Sequence, residues 1–520
     1  MHPTTAAYIQ QRYNCLVTAA PNQFDIIIIG SGAGGGTVAH ELAGHDARVL
    51  VLERGDHIPQ EDGNRDPAVV WGELRYRTRE TWLDGDGKAF VPYSHYNVGG
   101  NSKFWGSALF RLRKEDFGAV EHIDGTSPAW PITSEDLAPW YDRAERLYHV
   151  HGQTGDDPTE GDRPPYPFAP IAHAPLMAEL VDGMRKQGLR PFHLPLGLIK
   201  PGEPGGCTLC AFCNSFPCQF HTKSDAEVCA LKPSLTHSNI TLWTNAFAER
   251  LITDPSGKHV VAVDVRRNGA LERLTASRFI VSCGAANSAA LLLRSKNDAH
   301  PHGLANSSGL VGRRYMAHLA TMMEAVHPFR INRTVFQKTV AINDFYFAGP
   351  RSPYPLGQIQ SQGRAYAVQA KTVVPWIPNW MYEAFMARAV DWLAMTEDLP
   401  VRDNRVTVDA NGGIQLHYRP NNVRAHKQLV AEAKKMLRDL GYWGVVGYSH
   451  NRSNTTHQCG TLCFGTDPAH SVLDPFCRTH DIRNLFVVDA SFFPSSAAVN
   501  PALTVIAQAL RASAHLVETL

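Results

Sequence analysis

Residues 24–55 read FDIIIIGSGAGGGTVAHELAGHDARVLVLERG. The unbroken apolar run Ile26–Ile29, closed by Gly30, predicts a short strand buried on both faces, as in a parallel sheet. Small residues follow, and then Val38 and Leu42, a pattern suited to a helix lying close on that sheet. ARVLVLERG supplies a second strand ending at Glu53, so the stretch predicts the β-α-β opening of a doubly wound domain. Inside it, Gly30, Gly32 and Gly35 stand at GxGxxG spacing around Ala33. Gly30 would make the turn, Gly32 would admit a pyrophosphate to the backbone, and Gly35 would let helix and sheet approach. The pyrophosphate would rest on the positive end of the helix, and Glu53, 23 residues past Gly30, would accept from ribose hydroxyls. FAD and nicotinamide nucleotides both use this fingerprint.

Outward from this unit, residues 60–95 are polar and aromatic with little periodicity, a long excursion. SEDLAPWYDRAERLYHV (134–150) predicts a helix capped by Ser134, with Glu135 and Asp136 in its first turn. Residues 152–175, rich in Pro, Gly and Asp, predict a loop. Residues 240–282 predict three strands, ITLWTNAFAERLITD, HVVAVDVRR and RFIVSCG, the first two joined by the hairpin turn DPSGK, followed by the helix AANSAALLLRS. Between about 320 and 420, strand-like runs alternate apolar and polar residues, the pattern of an antiparallel sheet with one cavity-lining face. RAHKQLVAEAKKMLRDLG (424–441) predicts a helix with Leu429, Ala433, Met436 and Leu440 on one face and Gly441 as its stop. The last block predicts a strand ending at Asp489 and a closing helix with Asn500 as cap and Pro501 at its first position. The fold class is thus α/β plus α+β. A Rossmann-like doubly wound domain spans 20–320 and 446–520, with excursions at about 60–95 and 130–205. A substrate domain built on an antiparallel sheet occupies 321–445.

Composition narrows the function by exclusion. Of 520 residues, 44% are hydrophobic and 19% charged, enough for a large core. Lys and Arg number 50 against 49 Asp and Glu, a net charge of +1, so nothing in the balance implies a nucleic-acid surface, an acidic substrate funnel or a polybasic membrane anchor. No run of eighteen or more apolar residues predicts a membrane span, and MHPTTAAYIQQRYNCLVTAAPNQF lacks the features of a secretory signal, so a cytoplasmic location is expected. Four of ten cysteines, Cys207, Cys210, Cys213 and Cys218, lie in CTLCAFCNSFPC; the others are Cys15, Cys229, Cys283, Cys459, Cys463 and Cys477. The clustered spacing is compatible with free or disulfide-linked thiols, a bound metal or iron–sulfur cluster, or a redox pair.

Three further segments complete the reading: NVGGNSKFWG (97–106), THQCGTLCFG (456–465) and VVDASFFPSSAAVNPALTVIAQA (487–509). With the opening unit they resemble the glucose–methanol–choline (GMC) family of flavin oxidoreductases, over essentially the whole chain from about residue 24. The resemblance implies FAD, held in a domain assembled from N-terminal, middle and C-terminal segments, and a substrate domain with an antiparallel sheet. It implies His457, in a His-x-x-Gly-Thr segment with Gly460 and Thr461, and Asn500 as the active-site pair, as in the His/Asn branch that includes sterol-, pyranose- and cellobiose-oxidising enzymes. In those roles His457 would take the hydroxyl proton, and Asn500 would donate to the substrate oxygen as charge develops. Gly99, Gly100, Asn101 and Ser102 resemble the loop beside the flavin ring, and Asp489 a position near its ribityl chain and pyrophosphate. The closing helix, from Asn500 and Pro501, would point its positive end at the pyrimidine edge. Family members that attach flavin covalently use a His in this loop, before a Trp in the pyranose-oxidising pattern. Phe104 precedes Trp105 here, so the resemblance implies non-covalent FAD, with His95 as a remote alternative. Members that work with a cytochrome carry a three-iron cluster near this cysteine run, and Cys207, Cys213 and Cys218 are spaced similarly but not identically.

For the substrate, Gln337, Asn343, Asp344, Phe345, Tyr346, Gln358 and Gln360 mix amides and aromatics in the inserted region, which suits a polyhydroxylated ring. Trp376, Trp380 and Trp392 would form an entrance over a bulky aglycone or pack a helix. The expectation is oxidation of a secondary hydroxyl of a sugar or glycoside to a ketone. The alternatives are a sterol or aryl alcohol, or a dehydrogenase passing electrons through a cluster to a redox partner. The electron acceptor, oxygen or another, and a homo-oligomeric state are left open by the sequence.

Overall fold

The computed structural model describes residues 24–371, 376–449 and 455–519; Cys15 and the N-terminal segment lie outside them. Ile26–Ile29, fully buried, is the middle strand of a five-stranded parallel sheet in the order Ile240–Trp243, Val49–Leu52, Ile26–Ile29, Arg278–Val281, Leu485–Val487. Strands from the N-terminal, middle and C-terminal parts of the chain therefore share one sheet. The run 240–254 is two strands rather than one. Ile240–Trp243 joins the parallel sheet, the chain turns at Asn245 (φ +53°), and Ala246–Thr253 starts a three-stranded antiparallel sheet with Val260–Arg267 and Ala270–Thr275.

The helix Ala33–Leu42 lies against the parallel sheet without room for side chains at its start. A Cβ on Gly35 would fall 2.0 Å from Gly30 O, and one on Gly34 would fall 1.8 Å from Val488 O. Gly30 itself has φ +102°, and its Cβ would meet Ser282 O at 2.2 Å. Gly34, outside the GxGxxG spacing, is thus as constrained as the motif glycines.

Three helix boundaries differ from the sequence reading. Thr133, not Ser134, caps the helix Ser134–Leu147: its hydroxyl accepts from Asp136 N (3.2 Å) and the Asp136 carboxylate accepts from Thr133 N (2.8 Å). In Val423–Asp439, Leu437 is buried beside Leu429, Ala433 and Met436, whereas Leu440 caps the C-terminus half-buried, before Gly441 at φ +88°. The closing helix spans Ala502–Glu518 with Pro501 in the capping position, so Asn500 lies outside the helix and its amide is released from capping.

Two six-stranded sheets build the rest. One is antiparallel, in the order Gly444–Ser449, Leu319–Val326, Ala389–Thr396, Gln358–Ser361, Val340–Ile342, Phe192–His193, so it recruits a strand from before residue 320. Alternation gives it two unlike faces. Met323, Ala325, Ile359, Val390, Trp392 and Ala394 pack in one apolar cluster with Leu429 and Met436 of the helix Val423–Asp439. The pleat puts Gln358, Gln360, Asp391 and Glu324 on the opposite face. The second sheet runs Gln458–Thr461, Arg313–Ala317, Arg405–Val408, Ile414–His417, Trp82–Asp84, Ala89–Phe90, so the excursion at 60–95 contributes two short strands.

The backbone contact at Gly34 predicts a measurable cost. Val488 O cannot rotate away as a side chain would, so Gly34→Ala is expected to destabilise the fold by about 3 kcal/mol or more, the upper end of overpacking penalties. The measurement is the thermal midpoint by circular dichroism, and a variant that melts with the parent would overturn the assignment.

Candidate active site

His457 directly precedes the strand Gln458–Thr461, which pairs antiparallel with Arg313–Ala317 in the register Ala317↔Gln458 and Met316↔Cys459. Continuing that register sets His318 opposite His457, and their Nδ1 atoms stand 3.2 Å apart. His457 is held in the left-handed region (φ +48°), where a non-glycine residue is uncommon. The motif around it has local causes. Gly460 has φ +75° and its Cβ would fall 2.1 Å from Arg314 O, while Thr461 Oγ1 donates to Ala285 O (2.7 Å).

On its other side, His457 Nε2 meets Asn500 Nδ2 at 3.4 Å, and Gln360 Nε2 donates to Asn500 Oδ1 at 3.1 Å. The His457–Asn500 pair thus joins the approach to the closing helix to the polar face of the antiparallel sheet. Gln360 is fully buried, and its Oε1 has no hydrogen-bond partner among the described residues. The other amides of that region turn inward. Gln358 Nε2 donates to Asn343 Oδ1 (3.0 Å), and Asn343 Nδ2 donates to Asp157 Oδ2 (2.9 Å). Gln337 Nε2 donates to Asp391 Oδ2 (2.5 Å) and its oxygen accepts from Asn332 Nδ2 (2.9 Å). Phe345 sits in the apolar cluster behind the sheet, Asp344 accepts from Arg190 N, and Tyr346 OH donates to Asp116 Oδ2 (2.8 Å). Trp392 is wholly buried in that same cluster, whereas Trp376 and Trp380 are exposed.

The glycine loop and its neighbours form a polar cradle. Ser31 donates to Glu53 Oε2 through its hydroxyl (2.6 Å) and its N–H (3.2 Å), and Gly55 N donates to Glu53 Oε1 (3.0 Å). Burial pushes the Glu53 carboxyl above its ordinary range. Gly99 N donates to Ser31 Oγ (3.1 Å), and a Cβ on Gly100 would meet Gly32 Cα at 3.3 Å, so the two glycine clusters of the sequence face one another. Ser102 Oγ donates to Gly99 O and accepts from Ala226 N. Beneath the loop, buried Lys103 Nζ pairs with Glu227 (2.7 Å) and Asp225 (3.1 Å). Asn101 is exposed, and its Oδ1 accepts from His95 N (2.9 Å); His95 stacks on Phe104 at 3.7 Å, and burial pushes its pKa down to about 3. Asp489 accepts from Gly284 N (2.9 Å), Ser288 Oγ (2.5 Å) and Ser491 N (2.9 Å), and burial raises its pKa.

Ser31, Gly34 and His318 were not singled out by the sequence. Ser31 lies inside the motif, but the motif consensus is silent about it. His318 is a lone histidine in an apolar stretch, and only the strand register reveals its partner. Cys207, Cys210, Cys213 and Cys218 are free thiols lining one small cavity that Lys223 also lines. Burial pushes Cys207 up to about 11 and Cys213 up to about 12. Among the described residues, no three His, Cys, Asp or Glu side chains are arranged to hold a metal.

Comparison with known proteins decides the family. Family models described as GMC oxidoreductase match residues 24–320 and 379–509. The chain belongs to the GMC oxidoreductase family. It is 31% identical to 6'''-hydroxyparomomycin C oxidase of Streptomyces lividus, over 95% of this chain and 91% of the relative. It is 30% identical to paromamine 6'-oxidase of Streptomyces fradiae, over 94% and 90%, and 27% identical to 2-methyl-1,2-propanediol dehydrogenase of Mycolicibacterium austroafricanum, over 96% of each. The crystal structure of pyridoxine 4-oxidase from Mesorbium loti superposes with a TM-score of 0.66 at 18% identity, covering 95% of this chain and 99% of that one, which shows the shared fold. No helix among the described residues is long and apolar enough to cross a membrane.

As a GMC oxidoreductase, the protein is an FAD-dependent enzyme acting on alcohols. The residues present fit that cofactor. A Cβ on Gly32 would meet nothing within 4 Å, so the loop leaves space for the dinucleotide where its neighbours leave none. The helix Ala33–Leu42 begins with neither a side-chain cap nor an acidic residue in its first turn, which suits an anionic group at its positive end. Gly32→Ala is therefore expected to fold but to retain FAD about 10- to 100-fold more weakly, the equivalent of roughly 1–3 kcal/mol of crowding. Flavin content after dialysis and titration of the apoprotein measure it. Unchanged retention would mean that the dinucleotide does not pass this loop.

Proposed function

We propose that the protein oxidises a hydroxyl of a sugar or glycoside, with His457 as general base and Asn500 as donor to the reacting oxygen. The observation that carries this reading is the convergence of His457 Nε2 and Asn500 Nδ2, 3.4 Å apart, at the foot of the closing helix. Bound FAD supplies the hydride acceptor. His457 takes the hydroxyl proton at Nε2, and Asn500 Nδ2 donates to the oxygen as it gains charge, so proton acceptor and oxyanion donor address the same atom. Gln360 Oε1, buried without a partner among the described residues and carried by the side chain that holds Asn500, is an acceptor for a neighbouring hydroxyl or amine of the substrate. Glu53, Gly99, Gly100 and Asp489 hold the cofactor in this reading. FAD is non-covalent, because Phe104 precedes Trp105 and His95 is stacked against Phe104.

The two Streptomyces relatives are named as aminoglycoside oxidases, which supports a sugar substrate. The name paromamine 6'-oxidase places that enzyme's reaction at a 6' position, exocyclic in a hexose, whereas the sequence reading here expects a secondary ring hydroxyl. The assay must therefore offer both. Purified holoenzyme is mixed anaerobically with monosaccharides, glycosides, aminosugars, sterols and aryl alcohols while the oxidised-flavin band is followed. Bleaching by a sugar hydroxyl is expected, and re-aeration reads whether oxygen or another acceptor completes the cycle. His457→Ala should slow bleaching by a factor on the order of 100 or more, since general-base help is typically worth 10²–10⁴. An unchanged rate would remove His457 from its role, and bleaching only by a sterol or aryl alcohol would remove sugars as the substrate class.

A further inference from the structure

We infer that His318 is a positioning residue that sets the tautomer of His457, keeping the proton on His457 Nδ1 and leaving Nε2 unprotonated to act as the base. The inference rests on His457 as base and adds the group that prepares it.

The direction of the hydrogen bonds follows from one end of the chain. His318 Nε2 lies 2.9 Å from Ala497 O and 3.1 Å from Ser496 O. Carbonyl oxygens only accept, so Nε2 carries a proton and donates. His318 is 1% exposed, and burial holds its pKa below the ordinary histidine range, so the ring is neutral and its Nδ1 has a lone pair. The contact between the two Nδ1 atoms, at 3.2 Å, then has one consistent arrangement: His457 Nδ1–H donates to His318 Nδ1. A neutral His457 protonated at Nδ1 has a bare Nε2, the nitrogen that faces Asn500 Nδ2. Gln360 holds the next group in the matching sense, since its Nε2 donates to Asn500 Oδ1 and so turns Nδ2 toward the histidine. The opposite polarity would require a doubly protonated imidazole at His318, in a site that burial makes hostile to charge. When His457 accepts the substrate proton at Nε2, its Nδ1–H remains on a neutral acceptor, so the imidazolium keeps its orientation.

His318 is the single residue between the strands Arg313–Ala317 and Leu319–Val326, which belong to different six-stranded sheets. Its backbone is therefore held from both sides, and its ring reaches the carbonyls just ahead of Asn500. The contact couples the two sheets and the approach to the closing helix to the tautomer of one side chain.

The test has two arms. In the first, His318→Leu removes the acceptor, while His318→Asn offers an amide oxygen close to where Nδ1 stood. The Leu variant is expected to lose about 10- to 100-fold in the rate of anaerobic flavin bleaching at saturating substrate, with the half-saturating concentration within about threefold of the parent. The Asn variant should recover most of that rate. A Leu variant that bleaches at the parental rate overturns the inference, as does an Asn variant as slow as the Leu variant while both retain FAD. In the second arm, the parent protein labelled with ¹⁵N-histidine is examined by NMR, with the His457 signals identified by their absence in His457→Ala. Protonated Nδ1 with bare Nε2 is expected, and the reverse tautomer overturns the inference even if the Leu variant does not fold. The spectrum judges the His318 contact independently of catalysis. A His457→Ala enzyme with full activity would defeat the base assignment without changing that spectrum.

Discussion

The cofactor domain depends on backbone atoms of three distant chain segments touching where no Cβ intervenes. Gly30 abuts Ser282 O, Gly34 abuts Val488 O, and the Ser282 hydroxyl donates to Val488 O at 2.8 Å. The N-terminal, middle and C-terminal segments thus interlock at one point, directly behind the glycine loop. A domain assembled from separated pieces carries a loop-closure cost, and this contact, with the strand pairing beside it, holds the pieces in register. The same contact aims the helix Ala33–Leu42 and leaves Gly32 as the open position in front of it.

Polar groups near this junction are buried in satisfied sets. Glu53 and Asp489 each accept three hydrogen bonds from the protein, and Lys103 lies between two carboxylates below the Gly99 loop. Breaking such a set would leave an uncompensated buried charge, which is far more costly than the pairing is favourable. The protein itself thus fixes these groups, and in the proposed reading that lowers the ordering cost of binding the cofactor. The substrate side differs. Its sheet presses one apolar face on a helix and turns its polar face toward the His457–Asn500 pair, where Gln360 bridges to Asn500.

Much of this was legible in the residues. The isoleucine strand, the glycine helix and the antiparallel insertion follow from apolar periodicity and turn residues, and a C-terminal strand is legible in the same way, but not the strand it pairs with. His457 and Asn500 were legible through the ordered motifs of the family, and the structure brings them within 3.4 Å. Helix ends were less legible, because a neighbour can take over a cap: Thr133 displaced Ser134, and Pro501 displaced Asn500. The candidate substrate residues divided for a similar reason. Amides that look equivalent along a strand are distinguished by what the opposing elements offer: Gln358 and Gln360 both keep an Oε1 without a partner among the described residues, but Gln358 Nε2 turns to Asn343 whereas Gln360 Nε2 turns to Asn500.

By itself the sequence determined the local and the repeated: which segments alternate, where glycine must turn or approach, and which chemical groups stand in the motifs. Those properties depend on neighbours within a few residues. The tertiary structure alone decided which distant groups meet. Val488 O behind Gly34, and His318 opposite His457, arise from strand register and segment return across more than a hundred residues. Hydrogen-bond direction at His318 Nε2 is likewise set by the Ser496 and Ala497 carbonyls, whose position no local pattern encodes, because a carbonyl in every sequence looks the same until the fold points it at something.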